Sequence, residues 1–234
     1  MKSKHDKYWI VLSDLMTVLM VIFLFMAVSY MALINEKQSE KDQLIKDYQK
    51  SKIELLTEIR NEFKDDFKKT KWNAVLDSSD LSIKFIDERI LFDVNKSDLK
   101  TEFQDILSDF FPRYLKIVLK PKYIDKIAEI RVEGHTSPEG DYIHNLELSQ
   151  DRTTNVIKYL RNLKSYNQLD EVEKERLKYW LTANGLSSGR TLDYNGKLSY
   201  RSKLFPDYKK SRRVEFKIVT TSEELINKAI KKIK

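Results

Sequence analysis

The sequence predicts an α+β protein that begins with a single transmembrane helix. Three observations predict it: an uncharged apolar run with one exception over residues 8–34, a charged segment without glycine or proline over 35–70, and alternating strand and helix patterns from 71 to 220. In chain order, the predicted parts are a cytoplasmic N-terminus (1–7), the transmembrane helix (8–34), a charged helical stalk (35–70), a folded domain (71–220) and a basic C-terminal helix (221–234).

The apolar run is long enough to cross a bilayer, for which about 20 residues suffice. A cleaved signal peptide is disfavoured, because its apolar region normally holds only about 7–15 residues. Lys2, Lys4 and Lys7 precede the run, whereas the charges that follow it nearly balance. The positive-inside rule therefore places the N-terminus in the cytoplasm and the rest of the chain on the opposite side of the inner membrane.

Asp14 is the one charged residue inside the apolar run. A carboxylate in hydrocarbon costs roughly 2.5–3.5 kcal/mol, so it is tolerated mainly where it faces a protein partner or a water-filled path. Since dehydration favours the protonated acid and hydration the anion, a partner that alternates the two can load and unload it. We predict that Asp14 carries an ion and that Thr17, on the same helix face, assists it. Two alternatives stay open: Thr17 bonds only to the backbone, or Asp14 is merely a polar residue near the interface.

The stalk carries apolar residues at fours and sevens, which is typical of an amphipathic helix. These residues are Leu44, Tyr48, Leu55, Ile59, Phe63 and Phe67. Such a stripe either pairs with a second copy of the chain or packs on the downstream domain.

The folded domain is predicted from periodicity and from helix-end signals. Strands are predicted at 81–86, 89–92, 126–134 and 213–220, and helices at 100–119, 149–163 and 170–184. Pro112 predicts a kink or interruption of the first of these helices. Ser149 is the predicted N-cap of the second, and Gly185 the predicted end of the third.

Composition argues against several classes of function. The absence of cysteine excludes disulfides and thiolate metal sites, and His135 and His144 have no second pair of ligands at metal spacing. No nucleophile–base set stands in a recognisable context and only five glycines are present, so neither an enzyme nor a cofactor is predicted. The net charge of +7 is spread along the chain, which favours an anionic surface or polymer over direct nucleic-acid binding.

The segment IRVEGHTSPEGDYIHNLELSQDRTTNVIKYL, residues 130–160, resembles the OmpA C-terminal-like domain, a peptidoglycan-binding βαβ sandwich. The stretches at 92–99 and 211–216 are similar to the same family's pattern. The resemblance implies that Arg152 binds the ligand, with Asn145 and Leu148 lining the pocket. Arg152 is also predicted to lie in the first turn of its helix, where free backbone N–H groups and the helix dipole favour an anion.

One position departs from the family pattern. Where the family has an aspartate directly after Gly-x-Thr, this sequence has Ser137, which forms hydrogen bonds but supplies no charge. We predict that Ser137 belongs to the site and that Asp141 compensates for the missing carboxylate. In the alternative interpretation, Arg152 only pairs with a local acid such as Glu139.

Residues 9–20, WIVLSDLMTVLM, resemble the transmembrane helix of MotB-type stator subunits, in which an aspartate followed by Met-Thr binds the translocated ion. The resemblance implies that Asp14 carries H⁺ or Na⁺, and that two copies of the chain assemble inside a pentameric ring of a multi-span MotA- or ZorA-like subunit. The short N-terminus and the long charged helix favour the ZorB family of Zorya anti-phage systems over a flagellar stator. A purely structural membrane-to-wall tether is the third interpretation, and it has no need of Asp14.

Overall fold

The computed structural model describes residues 4–68, 72–86 and 88–221. The helices are α1 (Lys4–Lys68), α2 (Glu88–Leu91), α3 (Thr101–Val118), α4 (Pro121–Ile124), α5 (Tyr142–Asn162), α6 (Lys164–Asn167), α7 (Glu171–Trp180), α8 (Ser199–Ser202) and α9 (Tyr208–Ser211). The strands are β1 (Ala74–Asp77), β2 (Ser82–Ile86), β3 (Ile127–His135), β4 (Leu181–Gly185) and β5 (Arg213–Thr220). The chain divides within α1 into two compact units, the second of which begins at Tyr48. The predicted C-terminal helix lies, after Thr221, outside the described residues.

The strands form one sheet in the order β1-β2-β5-β3-β4. Neighbouring strands are antiparallel except β3 and β4, which are parallel. Successive side chains of a strand point to opposite faces. Ile130, Val132 and Phe216 accordingly pack into the hydrophobic core, whereas Glu133 and Glu215 belong to the other, polar face. The predicted α+β class is confirmed.

Aromatic side chains form the centre of the core. Phe110 of α3 lies 5.3 Å from Phe85, 5.1 Å from Phe216 and 5.3 Å from Phe63, measured between ring centroids. Phe63 belongs to α1 and is fully buried, as are its stripe neighbours Leu55 and Ile59. Of the two roles considered for the apolar stripe, packing on the downstream domain is the one that this chain shows.

Ion pairs reinforce the contact between the end of α1 and the rest of the second unit. Arg113 bonds to Glu62 and Asp66 at 2.8 Å each. Glu58 pairs with Lys120 at 2.7 Å. Burial works to raise the pKa of Glu58, but hydrogen bonds from Lys120 and the neighbouring lysine outweigh it and lower the pKa from 4.5 to about 2. Residues 55–67 of α1 are therefore part of the domain's packing.

The predicted start of the central helix was wrong. Helix α5 begins at Tyr142 because Asp141 caps it, its carboxylate accepting hydrogen bonds from the second and third helical N–H groups at 2.8 and 3.0 Å. Ser149 lies inside the helix, where its Oγ accepts a hydrogen bond from the backbone N–H of Ser187 at 3.1 Å. Arg152 therefore lies about three turns into α5. The expected help from the helix N-terminus does not reach it, because that effect is confined to the first turn.

Other local predictions were also wrong. Residues 89–91 belong to the short helix α2, and Phe92 follows it as an isolated β-bridge to Leu99; Leu91 and Phe92 are both buried rather than alternating between two faces. The helix predicted over 170–184 ends at Trp180, and β4 follows because residues 181–185 pair with β3. Strand β1 was not predicted. Helix α3 continues through Pro112, so of the predicted kink or interruption it is the interruption that is wrong.

Gly134 allows α5 to lie directly on β3. A Cβ atom at this position would lie 2.6 Å from the carbonyl oxygen of Ser149 and 2.8 Å from the Thr153 methyl group, both too short for real contacts. The close crossing fixes where β3 ends and where the following loop, residues 136–141, leaves the sheet. That loop builds the candidate site.

Candidate functional site

A pocket of about 330 Å³ lies between the loop after β3, the loop after α2 and the start of α5. We call it the loop pocket. It is lined by Val94, Asn95, Thr136, Ser137, Glu139, Gly140, His144, Asn145, Leu148, Arg152 and Arg212. The structure thus brings together all four residues that the sequence analysis proposed for ligand binding, Ser137, Asn145, Leu148 and Arg152. Their role in binding stays a prediction.

Arg152 is 7% exposed and serves two purposes. Its Nε donates to the carbonyl oxygen of Lys96 at 2.9 Å, and its Nη2 donates to that of Asp93 at 3.2 Å. The guanidinium carbon lies 4.8 Å from the centre of the Phe92 ring, within the range of a cation–π contact. Arg152 therefore holds the loop after α2 in place while its charge lines the pocket.

Glu139 supplies the carboxylate of the pocket. It accepts a hydrogen bond from the Ser137 hydroxyl at 3.0 Å and pairs with Arg212 Nη1 at 2.9 Å. Asp141, which was expected to compensate for the missing aspartate, does not line the pocket and caps α5 instead. The backbone N–H groups of His144 and the preceding residue lower the pKa of Asp141 below its usual value. The salt bridge of Glu139 is formed with Arg212, not with Arg152 as the alternative interpretation had it.

The loop that carries Glu139 has a defined shape. Gly140 adopts a φ of +84°, a conformation that glycine reaches at no steric cost. Asn145 donates from Nδ2 to the carbonyl oxygen of Glu139 at 2.7 Å. Two arginines and one glutamate line this pocket, so its net charge is positive and favours an anionic ligand. Arginine favours carboxylates because its planar fork donates two parallel hydrogen bonds.

Sequence reasoning did not assign several residues that line the pocket: Val94, Asn95, Thr136, Gly140, His144 and Arg212. A signal for Val94, Asn95 and Arg212 was present in the sequence, because residues 92–99 and 211–216 resemble the family pattern. Their convergence on Arg152 depends on β5 pairing with β3, which places Arg213 opposite His135 and hence Arg212 beside the loop after β3.

Asp14 and Thr17 lie on α1, the one helix among the described residues that is long and apolar enough to cross a membrane. Thr17 Oγ1 donates to the backbone carbonyl of Ser13 at 2.8 Å. This is the backbone-bonded arrangement that was considered as an alternative to contact with Asp14. Both side chains are exposed on this chain.

The fold and the pocket define a chain with a candidate membrane span and a domain of the OmpA type. Residues 91–203 match the sequence profile of the OmpA family. The chain is 33% identical to the Zorya protein ZorB of Escherichia coli strain Crooks, over 98% of this chain and 94% of that protein. It therefore belongs to the ZorB family. A second Zorya protein ZorB, from Escherichia coli O139:H28 strain E24377A, is 27% identical over 62% of this chain and 57% of that protein.

Solved structures similar to this chain include MotB proteins. A MotB-like protein from Desulfovibrio vulgaris is 18% identical, with a TM-score of 0.45, and covers 73% of this chain and 95% of that chain. The periplasmic domain of Helicobacter pylori MotB (residues 78–256) is 20% identical, with a TM-score of 0.38, and covers 62% of this chain and 80% of that chain.

Proposed function

We propose that this chain is the single-span subunit of an ion-driven rotary motor of the Zorya type, acting in anti-phage defence. The main support is its relationship to ZorB over nearly its whole length, together with Asp14 in the membrane segment. The N-terminus lies in the cytoplasm, α1 crosses the inner membrane, and the folded domain binds peptidoglycan in the periplasm. Asp14 takes up and releases H⁺ or Na⁺.

The ion-carrying step depends on a second subunit. Asp14 is exposed on this chain, and a lone carboxylate in hydrocarbon is tolerated when other helices or a water path surround it. A multi-span, ZorA- or MotA-like subunit supplies these helices. Two copies of this chain inside a ring of five such subunits give each Asp14 a protein-lined path. A pure tether has no use for an acid inside the membrane segment, which is why we favour the motor.

The anchoring step depends on the loop pocket. The peptide stems of peptidoglycan carry carboxylates, and the Arg152 guanidinium lines a pocket with a positive surplus. Arg212 and Glu139 form a second charged wall, so a ligand with both carboxylate and amine groups finds a partner for each. A chain held by the wall does not turn with the ring, and the energy of ion passage then moves the ring against a fixed axis.

Co-purification with the multi-span partner tests the assembly. We expect the tagged full-length chain, expressed together with the multi-span subunit, to be isolated in a complex whose native mass corresponds to two copies of this chain and five of the partner. The Asp14→Asn variant should give the same complex, because the amide is nearly isosteric. A stable monomer that never retains the partner would contradict the motor proposal.

A further inference from the structure

A second and larger cavity lies on the polar face of the sheet. It measures about 890 Å³ and is enclosed by β2, β5 and β3 on one side and by the segment 190–202 on the other. We call it the sheet-face pocket. Its volume falls in the range of about 300–1,000 Å³ that is typical of small-molecule sites. None of the residues proposed for ion carriage or for the loop pocket lines it.

The acidic residues of the sheet-face pocket are already neutralised. Glu215 accepts from Arg213 at 2.5 Å, and Glu133 pairs with Arg190 at 3.4 Å. The two remaining lining acids are also in salt bridges with lining lysines. A buried charge is tolerated when it is paired in this way. The paired acids leave no negative charge for an incoming cation to balance.

Two further cations line the same pocket, and one of them, Lys197, acts on a nearby acid: the pKa of Asp193 is lowered by a hydrogen bond from Ser202 and, more weakly, by the Lys197 charge. Lys197 and Arg201 project from the segment that covers the sheet, and within the described ranges neither forms a salt bridge. Both residues are exposed to solvent. The pocket therefore has a net positive charge, which comes from the covering segment 190–202 rather than from the sheet, and it favours an anionic ligand.

His135 lies in the wall of the sheet-face pocket and is only 3% exposed. Burial and the neighbouring Arg213 guanidinium lower the pKa of His135 well below its usual range, so the ring is neutral. Within the described part of the chain neither ring nitrogen has a hydrogen-bond partner. Its Nε2 lies 3.5 Å from carboxylate oxygens of Glu133 and Glu215, a grouping that resembles a metal site. The arginines bonded to both carboxylates argue against a metal and leave His135 as a polar group for a ligand.

The two pockets adjoin. His135 lines the sheet-face pocket and also a narrow crevice that Arg152 and Arg212 line from the other side. Ser137, in the loop pocket, follows His135 by two residues, a distance of roughly 7 Å along extended chain. Arg212 and Arg213 are consecutive, and they line the loop pocket and the sheet-face pocket respectively. The crevice measures about 10 Å³, too little for a ligand, so the two pockets open at the same end of β3 and β5 on opposite faces of the sheet. A ligand with more than one acidic group occupies both by passing around that end.

We propose that the sheet-face pocket binds a second carboxylate of the peptidoglycan ligand, with Arg201 and Lys197 as its cationic contacts. This inference rests on the proposed binding of peptidoglycan in the loop pocket. One carboxylate occupies the loop pocket beside Arg152, and another, from the same stem peptide or from a cross-linked neighbour, enters beside Arg201. The wall is then held at two points, which resists rotation better than a single contact.

The test uses the full-length chain in detergent and two soluble probes. The probes are the disaccharide–tetrapeptide monomer of peptidoglycan and its cross-linked dimer, and binding is measured by calorimetry. The double variant Lys197→Ala/Arg201→Ala should bind the dimer about ten-fold more weakly than the native chain does. Lys209→Ala, which removes a nearby exposed lysine outside the pocket, should bind as the native chain does. Because all three residues are exposed, the variants should unfold at the native temperature.

The outcomes separate the two proposals. A loss confined to the dimer supports a second carboxylate from a neighbouring stem, and an equal loss for the monomer supports one from the same stem. If the double variant binds both probes as the native chain does, while Arg152→Ala weakens binding, the second site is refuted and the wall-binding proposal stands. If the native chain binds neither probe, both proposals are refuted.

Discussion

Replacing Arg152 by alanine tests the loop pocket, and the structure predicts two separate effects. The first is on stability, because Arg152 donates to the carbonyls of Lys96 and Asp93 at 2.9 and 3.2 Å. A hydrogen bond that involves a charged group contributes about 1.5–3 kcal/mol. The second bond is long, and water can replace both partners in this surface loop. We therefore expect the free energy of unfolding to fall by about 2 kcal/mol, with the fold retained.

The second effect is on binding to the cell wall. Removing one partner of a desolvated charge pair costs about 2–5 kcal/mol, so the dissociation constant for purified sacculi should rise by about 30-fold or more. Sedimentation with sacculi measures this with the detergent-solubilised full-length chain. The lower stability does not explain this weaker binding. A chain that loses about 2 kcal/mol of its free energy of unfolding is still almost entirely folded.

Two control variants separate binding from loop support. Asn155→Ala removes the hydrogen bond from Nδ2 to the Ser97 carbonyl at 3.0 Å, so it loosens the same loop without removing charge from the pocket. Lys158→Ala removes an exposed charge from the same helix. Both should keep sacculus binding within about three-fold of the native chain. If Arg152→Ala is retained on sacculi as well as Asn155→Ala, Arg152 does not bind the wall and the reasoning fails.

Two further predictions concern the attachment of α1 to the domain. Phe63→Ala should lower the free energy of unfolding by about 3–5 kcal/mol, as expected for a fully buried ring, while Ile53→Ala on the exposed side of α1 should change it little. Urea unfolding followed by tryptophan fluorescence compares the two variants. Equal effects would show that α1 is not part of the core. Because the pKa of Glu58 is lowered to about 2 in the folded chain, the stability that Glu58 adds should be complete above about pH 4.5 and vanish as the pH falls towards 2. The difference in free energy of unfolding between the native chain and Glu58→Gln should therefore shrink over that range. A constant difference would contradict the ion pair with Lys120.

The membrane segment could be predicted from the sequence because its signal is local. A long apolar run and a single acid within it need no knowledge of the rest of the fold. The four pocket residues were grouped because residues 130–160 resemble the OmpA C-terminal-like domain, and the structure places all four in the loop pocket. Even so, their partners were not predicted: the acid that faces Ser137 is Glu139, because Asp141 satisfies the N–H groups of α5.

The elements that were predicted incorrectly depend on long-range contacts. Both Asp141 and Ser149 are good N-cap residues, and only the contact of Ser149 with Ser187 shows that Ser149 belongs inside α5. Residues 181–185 continue a helical pattern locally, and they become β4 only because β3 offers a parallel partner. Propensity is a weak prior when tertiary pairing competes with it.

The central claim is that Asp14 carries an ion that drives the motor. Cells that contain the complete Zorya system should lose protection against phage when this chain carries Asp14→Asn, while the amount of the chain and its co-purification with the multi-span partner stay unchanged. The amide has nearly the same shape and is cheaper to bury, but it does not titrate, so only ion carriage is removed. Ser29→Ala, a polar change elsewhere in the same segment, should keep protection. Full protection with Asp14→Asn would contradict the account.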